Sequence, residues 1–428
     1  MMHFSIYTLG CKVNQYETQA MEQILTQRGH VERSWDEPCD AYIINTCTVT
    51  AVSDKKSRNM IRRVRRQNPA AVVAVCGCYA QVDPEAVEAL KADVVAGTGG
   101  RIEFLRQVER AVRERTRWCE VDDALHRHTF EVLPAGGMAE RTRAMLKVQD
   151  GCSNFCTYCI IPYARGPVRS LELETAVAQA RDCARAGYRE LVVTGIEISS
   201  WGRDLPGKPP LSDLVAALCA AVPQCRIRLG SLEPRTVTEA FCQTLSGFEN
   251  LCPQFHLSLQ SGSDTVLRRM HRRYDTARYL ESVRLLTQYF PGCAVTTDLI
   301  VAFPGETEGE FAESLAFLRT CGFAKVHVFP YSRRAGTPAA KLPGQAPNAV
   351  KEDRARRAGA LARRLEAAYL DGWVGETLPV LFEEEKDGLW RGHAPNYVEV
   401  FARGEDLHNV ERPVKLLRRE GGSLIGEL

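Results

Sequence analysis

The chain has no apolar run long enough to cross a bilayer, although 45% of its 428 residues are hydrophobic. Its start, Met1-Met2-His3-Phe4, lacks the basic segment followed by an apolar segment that marks a secretory signal. No internal repeat is visible. These absences predict a cytoplasmic protein that has no membrane partner.

An excess of charge of one sign is also missing, because 55 basic and 53 acidic side chains leave a net charge of only +2. This balance does not by itself predict nucleic-acid binding, and any such function needs a local basic patch. The composition is that of a soluble globular protein. At 428 residues the chain is too long for one ordinary core and is expected to form two or three domains.

Cysteine, in contrast, is abundant, with 16 residues. In a long chain without a signal, cysteines are better explained as free thiols and metal ligands than as disulfides. Several of them, such as Cys183, Cys219, Cys242 and Cys321, lie in helical apolar patterns and are expected in the core. Six others call for a chemical explanation.

Cys152, Cys156 and Cys159 are separated by three and then by two residues. Structural zinc sites are closed by four ligands, and iron–sulfur clusters normally bind four cysteines. Three cysteines with no fourth nearby would leave one iron of a 4Fe-4S cluster free to bind another molecule. The spacing therefore favours a reactive cluster over three ordinary buried cysteines.

Cys11, Cys47 and Cys78 each follow a predicted strand in the first hundred residues. The carboxyl ends of parallel strands meet at one edge of a sheet, so these cysteines are expected to converge on a second metal site. A second three-cysteine cluster, a zinc ion and incidental cysteines all remain possible explanations. Spacing alone does not distinguish Cys76 from Cys78 as the ligand.

The pattern of apolar runs predicts an α/β fold with three parts. Strands and helices alternate in the first part and indicate a small parallel sheet. Six further strand–helix units, with strands predicted at 144–148, 190–194, 226–229, 254–259, 294–301 and 325–329, are too few for a closed eight-stranded barrel. They indicate an open (β/α)6 partial TIM barrel. Short strand-like runs at 377–382, 397–401, 414–417 and 423–425 predict a small all-β barrel. The predicted boundaries are 1–112 for the N-terminal domain, 113–140 for a linker, 141–345 for the central core, 346–370 for a connecting helix and 371–428 for the C-terminal domain.

The motifs resemble those of the radical S-adenosylmethionine methylthiotransferases over nearly the whole chain. The resemblance rests on the 152/156/159 spacing with Tyr158 before the last cysteine, and on Leu9-Gly10-Cys11, Asn45-Thr46-Cys47 and Cys76-Gly77-Cys78-Tyr79. It implies a methylthiotransferase domain, a radical core and a C-terminal TRAM domain. It also implies two 4Fe-4S clusters and S-adenosylmethionine as cofactors, with Cys78 rather than Cys76 as a ligand of the second cluster.

The polar residues that follow the core strands are candidates for binding S-adenosylmethionine, because active sites of barrel-like folds lie at the carboxyl ends of strands. A turn or a helix cap is an equally good explanation of any one of them. By resemblance the predicted cofactor contacts are Tyr158, Thr194, Gly195, Glu197, Ser231, Glu233, Ser258 and Gln260.

One basic run, at residues 54–66, has seven positive residues and one acid on a predicted helix. A solvated charged helix is the usual explanation, but the run is too one-sided for internal ion pairs and begins shortly after Cys47. It predicts RNA contacts by Lys55, Lys56, Arg58, Arg62 and Arg63. In the TRAM-like domain, Tyr397 is a candidate base-stacking platform or a core residue.

Within the family, three branches act on isopentenylated adenosine in tRNA, on an aspartate of a ribosomal protein, or on threonylcarbamoylated adenosine next to the anticodon. The segments 8–18 and 160–166 resemble the third branch, and Lys12-Val13-Asn14 stands where the isopentenyl branch tends to have Gln-Met-Asn. The resemblance implies a tRNA substrate, a flavodoxin- or ferredoxin-type reductant and a sulfur donor. The alternatives are an isopentenyladenosine methylthiotransferase and a non-catalytic iron–sulfur scaffold that binds RNA.

Overall fold

The structure is a computed structural model that describes residues 1–136 and 142–428. Its first part is a parallel sheet with the strand order β2-β1-β3-β4-β5-β6. The strands are β1 (His3–Thr8), β2 (Val31–Glu32), β3 (Ala41–Thr46), β4 (Val72–Gly77), β5 (Val94–Ala96) and β6 (Trp118–Glu120). The helices are α1 (Lys12–Gln27), α2 (Ala51–Gln67), α3 (Cys78–Val82), α4 (Pro84–Glu88) and α5 (Arg101–Glu114).

Two apolar layers cover this sheet, as its almost uninterrupted buried strands require. Met21 and Leu25 of α1 pack with Phe104 of α5 against one face. Ile61 and Val64 of α2 pack against the other. The helices α2 and α5 therefore lie on opposite sides of the domain.

The central part is the predicted open, six-stranded partial barrel. Parallel strands β7 (Arg143–Lys147), β10 (Glu190–Thr194) and β11 (Arg226–Leu229) form one sheet. A second sheet contains β12 (Ser231–Leu232), β13 (Gln254–Leu257), β14 (Ala294–Val301) and β15 (Lys325–Pro330). Because β12 continues β11 after Gly230, the two count as one of the six barrel strands. A bridge between Ile227 and Leu251 joins the two sheets. The short strands β8 (Gln149–Asp150) and β9 (Arg169–Ser170) form an antiparallel pair beside them.

Helices cover the outside of this barrel and share one large apolar core with its strands. They are α7 (Leu173–Arg185), α8 (Leu211–Ala221), α9 (Glu239–Leu245), α10 (Asp264–Arg269), α11 (Thr276–Tyr289) and α12 (Glu308–Cys321). The short helix α6 (Ile161–Arg165) packs instead against α3 of the N-terminal part. The long helix α13 (Asn348–Asp371) packs on β14 and β15.

The C-terminal part is a closed barrel with the strand order β16-β17-β18-β20-β19. Its strands are β16 (Thr377–Lys386), β17 (Leu389–His393), β18 (Glu399–Ala402), β19 (Glu411–Glu420) and β20 (Ser423–Glu427). The prediction of an α/β fold with a parallel sheet, a partial barrel and a small β barrel is confirmed. None of the helices in the described ranges is both long and apolar enough to cross a membrane.

The domain boundaries stay predictions. The helix α5 continues to Glu114, past the predicted boundary at 112, and β6 lies within the predicted linker but pairs with the N-terminal sheet. The end of that linker and the predicted start of the core at 141 fall on residues 137–141, outside the described residues.

Candidate active site

The loop that follows β8 carries Cys152, Cys156 and Cys159, and α6 follows it. The amide of Cys159 donates to the carbonyl oxygen of Cys156 at 2.9 Å, which forms a turn between these two cysteines. Burial and the neighbouring Cys156 raise the pKa of Cys159 to about 12. Arg272 donates from Nη1 to Sγ of Cys156 at 3.2 Å. Such a cation stabilises thiolate character, which metal binding requires.

Cys11, Cys47 and Cys78 converge at the carboxyl edge of the N-terminal sheet, as predicted. Cys11 precedes α1, Cys47 follows β3 and Cys78 begins α3. Burial raises the pKa of Cys78 to about 12, and the nearby Cys11 and Cys47 thiols raise it as well. The turn before Cys78 needs glycine, because Gly77 has a φ of +98° and a Cβ there would lie 2.5 Å from the Thr46 carbonyl oxygen.

Cys76 points the other way. It is fully buried in the apolar layer beneath α1 and α5, with Met21 and Phe104. Because β4 ends at Gly77, Cys76 lies on a face of the strand, whereas Cys78 lies beyond its end and begins α3. This placement supports Cys78 rather than Cys76 as the ligand.

Within residues 1–136 and 142–428, no three metal-binding side chains are close enough to hold a single metal ion. All six cysteines are free thiols, which is the ligand type that iron–sulfur clusters bind, so the donor chemistry of both sets fits a cluster.

A buried ionic network joins the two cysteine sets. Glu17 of α1 is 1% exposed and pairs with Arg101 at 2.9 Å, with Lys147 at 3.2 Å and with Arg165. The guanidinium of Arg165 also donates to Asn14 at 2.8 Å, interacts with the Cys78 thiol and approaches Asp150 at 3.4 Å. Asp150 lies two residues before Cys152, so a few charged side chains link the N-terminal triad to the core triad.

The charges in this network offset one another. Burial alone would raise the pKa of Glu17, but Arg165, Arg101 and Lys147 outweigh it and hold the pKa at about 2. Burial would also raise the pKa of Asp150, but the nearby cations, with Lys147 the strongest, keep that pKa well below its usual range. Both carboxylates are ionised at neutral pH and fix the orientation of Arg165.

Glu197 has the strongest structural sign of a ligand site. Its Oε1 is buried and has no hydrogen-bond partner in the part of the chain that the structure describes. Buried polar atoms are almost always paired, so this oxygen indicates a bound group that carries a donor. Burial and the neighbouring Glu233 carboxylate raise the pKa of Glu197. The amino group of S-adenosylmethionine is a donor of the right kind.

Thr194 ends β10, and Gly195 follows it. A Cβ on Gly195 would lie 2.8 Å from Oε1 of Gln149, which also accepts from the Glu197 amide at 2.8 Å. The absence of a side chain at residue 195 is therefore explained by Gln149, whether or not a cofactor also approaches. Gln149 was not predicted, although it stands just before the cysteine loop.

The remaining predicted cofactor contacts lie at the same rim of the barrel. Ser231 is exposed, and Glu233 is 6% exposed and pairs with Arg235 at 2.8 Å. Ser258 uses its carbonyl oxygen to accept from Tyr274, and Gln260 has a φ of +67°. Tyr158 is part of the cysteine loop, and burial raises its pKa. The structure thus collects these side chains around the core cysteines; their contacts with a cofactor stay predictions.

The barrel interior is polar. Leu191, Val193, Ile227 and Leu229 face the helices, so the residues that alternate with them face inward. The inward residues include Arg143, Lys147, Glu190, Arg228, His256, Asp298 and His327. An interior with this many charged side chains is built for a polar ligand rather than as a packed core.

Tyr397 closes the far end of this interior. Its ring stacks on His393 with centroids 4.7 Å apart, and the Arg228 guanidinium lies 4.5 Å from its centroid. Arg143 donates to its hydroxyl at 3.1 Å. Although 40% exposed, the ring already has these partners, so it joins the C-terminal barrel to the core. Its predicted stacking on RNA is not tested.

Lys12 is a residue of the site that the sequence did not single out. It follows Cys11, and its side chain is exposed, yet desolvation by the surrounding protein lowers the pKa of its amine. The groups that interact with this amine are Tyr397, Arg228, Arg143 and Glu190. The only feature of the sequence that pointed to this residue was that Lys12-Val13-Asn14 stands where the isopentenyl branch tends to have Gln-Met-Asn.

The predicted basic helix is α2. The side chains of Lys55, Lys56, Arg62 and Arg63 are exposed, whereas Arg58 is half-buried and donates to the Tyr79 hydroxyl at 3.3 Å. The first turn of α2 meets the core, because Asp54 pairs with Arg334 at 2.6 Å. The helix thus carries its positive charge away from the edge where Cys47 lies.

Comparison with known proteins agrees with this architecture. The profile of the Radical SAM superfamily matches residues 146–318, and that of the Uncharacterized protein family UPF0004 matches residues 3–97. A structure of the radical S-adenosylmethionine methyltransferase TsrM from Kitasatospora setae, with cobalamin and a [4Fe-4S] cluster bound, superposes with a TM-score of 0.56 at 14% identity. It covers 91% of this chain and 80% of that one, and it shows the fold alone. Fold and cysteine loop together define a radical S-adenosylmethionine enzyme.

Relatives of nearly the same length show to which family of radical S-adenosylmethionine enzymes the chain belongs. The Threonylcarbamoyladenosine tRNA methylthiotransferase MtaB of Bacillus subtilis (strain 168) is 40% identical over 98% of this chain and 94% of its own. The protein of that name from Aquifex aeolicus (strain VF5) is 35% identical over 97% and 100%. A tRNA-2-methylthio-N(6)-dimethylallyladenosine synthase from Symbiobacterium thermophilum is 32% identical over 99% and 93%. The chain belongs to the tRNA methylthiotransferase family.

Membership confirms the predicted enzyme class and cofactors. Radical S-adenosylmethionine enzymes use S-adenosylmethionine and a 4Fe-4S cluster, and the fold neighbour TsrM has such a cluster bound. A tRNA is the substrate of this family. The alternative of a non-catalytic scaffold is thereby disfavoured.

Proposed function

We propose that the enzyme adds a methylthio group to carbon 2 of N6-threonylcarbamoyladenosine next to the anticodon of tRNA, with two 4Fe-4S clusters and two molecules of S-adenosylmethionine. The observation that carries the proposal is the pair of three-cysteine sets joined through Arg165. With S-adenosylmethionine, the clusters would supply the electron, the radical and the methylated sulfur for a carbon–hydrogen bond that acid–base groups cannot break.

Different residues of the protein would bind the two clusters. Cys152, Cys156 and Cys159 would bind the cluster that serves S-adenosylmethionine, and Glu197 and Glu233 would orient its amino group. The N-terminal triad, Cys11, Cys47 and Cys78, would bind the second cluster on the opposite side of Arg165. Arg165, Glu17 and Asp150 are buried and form the ionic network that joins the two sets of cysteines.

The choice of threonylcarbamoyladenosine over isopentenyladenosine follows the relatives. Proteins named for the former are 40% and 35% identical to the chain, and a protein named for a dimethylallyl substrate is 32% identical. The polar barrel interior supports this choice, because the threonylcarbamoyl group is polar and charged whereas the isopentenyl group is apolar. The isopentenyladenosine enzyme remains the alternative.

Two partners follow from the proposed reaction. A flavodoxin- or ferredoxin-type protein would provide electrons, and a separate donor would restore the sulfur. The tRNA substrate makes the cytoplasm the expected location.

The nucleoside profile of tRNA tests the substrate. Deleting the gene should remove 2-methylthio-N6-threonylcarbamoyladenosine from tRNA digests examined by mass spectrometry, and the unmethylthiolated nucleoside should accumulate. Restoring the gene should restore the product. Loss of the methylthio isopentenyl nucleoside instead would refute the substrate.

We also propose that the exposed face of α2 binds the phosphate backbone of tRNA. The supporting observation is that Lys55, Lys56 and Arg62 are exposed cations without a carboxylate partner in the described part of the chain, while Arg63 has only the exposed Asp36 at 3.2 Å. Cations left free in this way are available to replace the counterions of RNA.

Reversing Arg62 and Arg63 to glutamate should weaken tRNA binding by about tenfold or more and reduce its salt dependence, because two phosphate contacts become repulsive. Cleavage of S-adenosylmethionine should persist. The matched control reverses Arg110 and Arg113 of α5, which changes the net charge equally on the opposite face of the sheet. Equal binding by both double variants in a filter-binding salt titration would contradict the assignment.

A further inference from the structure

The outer surface of the core cysteine loop carries an exposed aromatic pair. Phe155, which immediately precedes Cys156, is 42% exposed, and Tyr163 of α6 is 39% exposed. Their ring centroids lie 5.6 Å apart in an edge-on arrangement. Single exposed apolar side chains are common, but two aromatic rings in contact on the surface of a ligand loop call for an explanation. The pair is therefore a candidate contact surface for another molecule.

A basic segment, residues 268–273, lies against the same loop. The Thr157 amide donates to the Met270 carbonyl oxygen at 3.1 Å. A ring nitrogen of His271 lies 3.4 Å from the Phe155 carbonyl oxygen, and Arg272 donates to Sγ of Cys156 at 3.2 Å. The basic segment is thus in direct contact with the part of the loop that carries the aromatic pair.

Two cations of the basic segment have no carboxylate partner. Arg268 and Arg273 are exposed, and within residues 1–136 and 142–428 neither forms an ion pair. The acids nearby are already engaged, because Glu310 pairs with Arg269 at 2.8 Å and the Asp275 side chain caps the first turn of α11. The segment therefore presents positive charge next to the aromatic pair.

The aromatic pair and the proposed RNA-binding helix are associated with different strands of the barrel. The edge strands are β7 and β15, so the barrel opens between them. The first turn of α2 meets the core just after β15, where the Ala51 amide donates to the Ser332 hydroxyl at 3.2 Å. The basic segment follows β13, which is an inner strand. A tRNA that follows α2 reaches the barrel at its edge, so a different partner explains the aromatic pair better.

The chemistry of the site requires such a partner. Reductive cleavage of S-adenosylmethionine consumes an electron that has to come from outside the chain. Electron transfer between two proteins requires their redox centres to come close, and such encounters use small contact surfaces. Phe155 is bonded to Cys156, so a protein seated on the aromatic pair lies next to the core triad. The unpaired cations favour a partner with negative charge.

We propose that Phe155, Tyr163, Arg268 and Arg273 form the docking surface for an acidic flavoprotein that delivers the electron. The exposed edge of a flavin is planar and apolar and matches two aromatic rings. In this step the flavin loses one electron and the cluster at the core triad gains it, and no bond between the proteins forms. The inference rests on the proposed function, in which a separate protein supplies the electrons.

The test compares a protein reductant with a chemical one, using the reconstituted holoenzyme and an acidic flavodoxin. The double variant Arg268→Glu with Arg273→Glu should bind flavodoxin about tenfold more weakly at low salt, and high salt should remove the difference because it screens exposed charges. Release of 5′-deoxyadenosine driven by reduced flavodoxin below saturation should slow by a similar factor. With dithionite as the reductant, the variant and the unaltered enzyme should release it at the same rate.

Matched variants make the result specific. Arg284→Glu with Arg319→Glu reverses two exposed cations on α11 and α12, changes the net charge equally and should bind flavodoxin like the unaltered enzyme. Tyr163→Ala should weaken flavodoxin binding, whereas Tyr163→Phe should not, because the ring rather than the hydroxyl makes the proposed contact.

Several outcomes would overturn the inference. Unchanged flavodoxin binding by the first double variant, or equal weakening by its matched control, would remove the docking surface. Weaker tRNA binding with unchanged flavodoxin binding would assign the cations to RNA. Slower cleavage with dithionite, or loss of iron, would make them a support of the cluster. Binding of an acidic ferredoxin but not of flavodoxin would refute a flavoprotein as the partner.

The proposed function fails separately. With dithionite and no protein donor, the nucleoside that the unaltered enzyme methylthiolates identifies the substrate. An isopentenyladenosine product would refute the proposed substrate and leave the docking surface untouched. The proposed product together with unchanged flavodoxin binding by the first double variant would refute only the docking surface.

Discussion

Replacing Cys78 by alanine is expected to reduce methylthiolation of tRNA below detection while the release of 5′-deoxyadenosine from S-adenosylmethionine continues. The second site would retain only Cys11 and Cys47, too few ligands for the proposed cluster, whereas the core triad is untouched. The iron content of the reconstituted protein should fall by the amount of one cluster. Its electron paramagnetic resonance spectrum should lose the signal of one cluster and keep that of the other.

The neighbouring cysteine provides a matched control. Cys76 is fully buried in the apolar layer of the sheet, so Cys76→Ala removes a core atom and should cost on the order of 1 kcal/mol of stability. Its iron content and product yield should match those of the unaltered enzyme. The opposite pattern, with iron lost only from Cys76→Ala, would transfer the ligand assignment to Cys76.

Glu17→Gln is expected to produce the largest loss of stability among single polar substitutions in the protein. Glu17 faces Arg101, Arg165 and Lys147, all almost completely buried, and removing its charge leaves them with too few counter-charges. Breaking a buried ion pair from one side typically costs about 3–5 kcal/mol. The midpoint of urea unfolding should fall accordingly, with iron lost from the N-terminal site because Arg165 no longer has a fixed orientation beside Cys78.

The contribution of Glu17 to the stability of the fold should decrease as the pH falls. Because the folded protein holds the pKa of Glu17 at about 2, its ionised form stabilises the fold above the unfolded value of about 4.3. That contribution decreases as the pH falls from there towards 2. The unaltered protein should lose stability in this range, and Glu17→Gln should lose less. Glu103→Gln on the exposed surface of α5 is the control and should unfold like the unaltered protein; a Glu17→Gln midpoint equal to that of the control would contradict the role of the network.

The sequence was sufficient to predict the elements that have strong local patterns. The core strands β10, β11 and β14 were predicted with the bounds that the structure has, because β10 and β14 are rich in β-branched apolar residues and β11 alternates arginine with isoleucine and leucine. The strand β17 was missed, since Leu389–His393 is short and contains Gly392. The edge strands β2 and β6 are two and three residues long and exposed or half-buried, so they have no apolar pattern to detect.

The candidate site also has residues that the local sequence predicts and residues that it does not. The core triad is a local motif, and it was identified from spacing, whereas the N-terminal triad needed the resemblance as well. The ionic network was not predicted, because Glu17 is an ordinary polar residue of an amphipathic helix by its local sequence. Its partners Arg101 and Arg165 are 84 and 148 residues away, and no short-range pattern encodes a contact at that separation.

The C-terminal barrel is attached to the ends of the core strands that lie farthest from the cysteine loop. Arg226, the first residue of β11, donates to the carbonyl oxygens of His393 at 2.8 Å and Pro379 at 2.9 Å, and Ser231 follows β11 at its other end. A strand is stiff along its axis, so the two ends keep a constant separation. The C-terminal barrel is therefore held at a set distance from the cysteine loop.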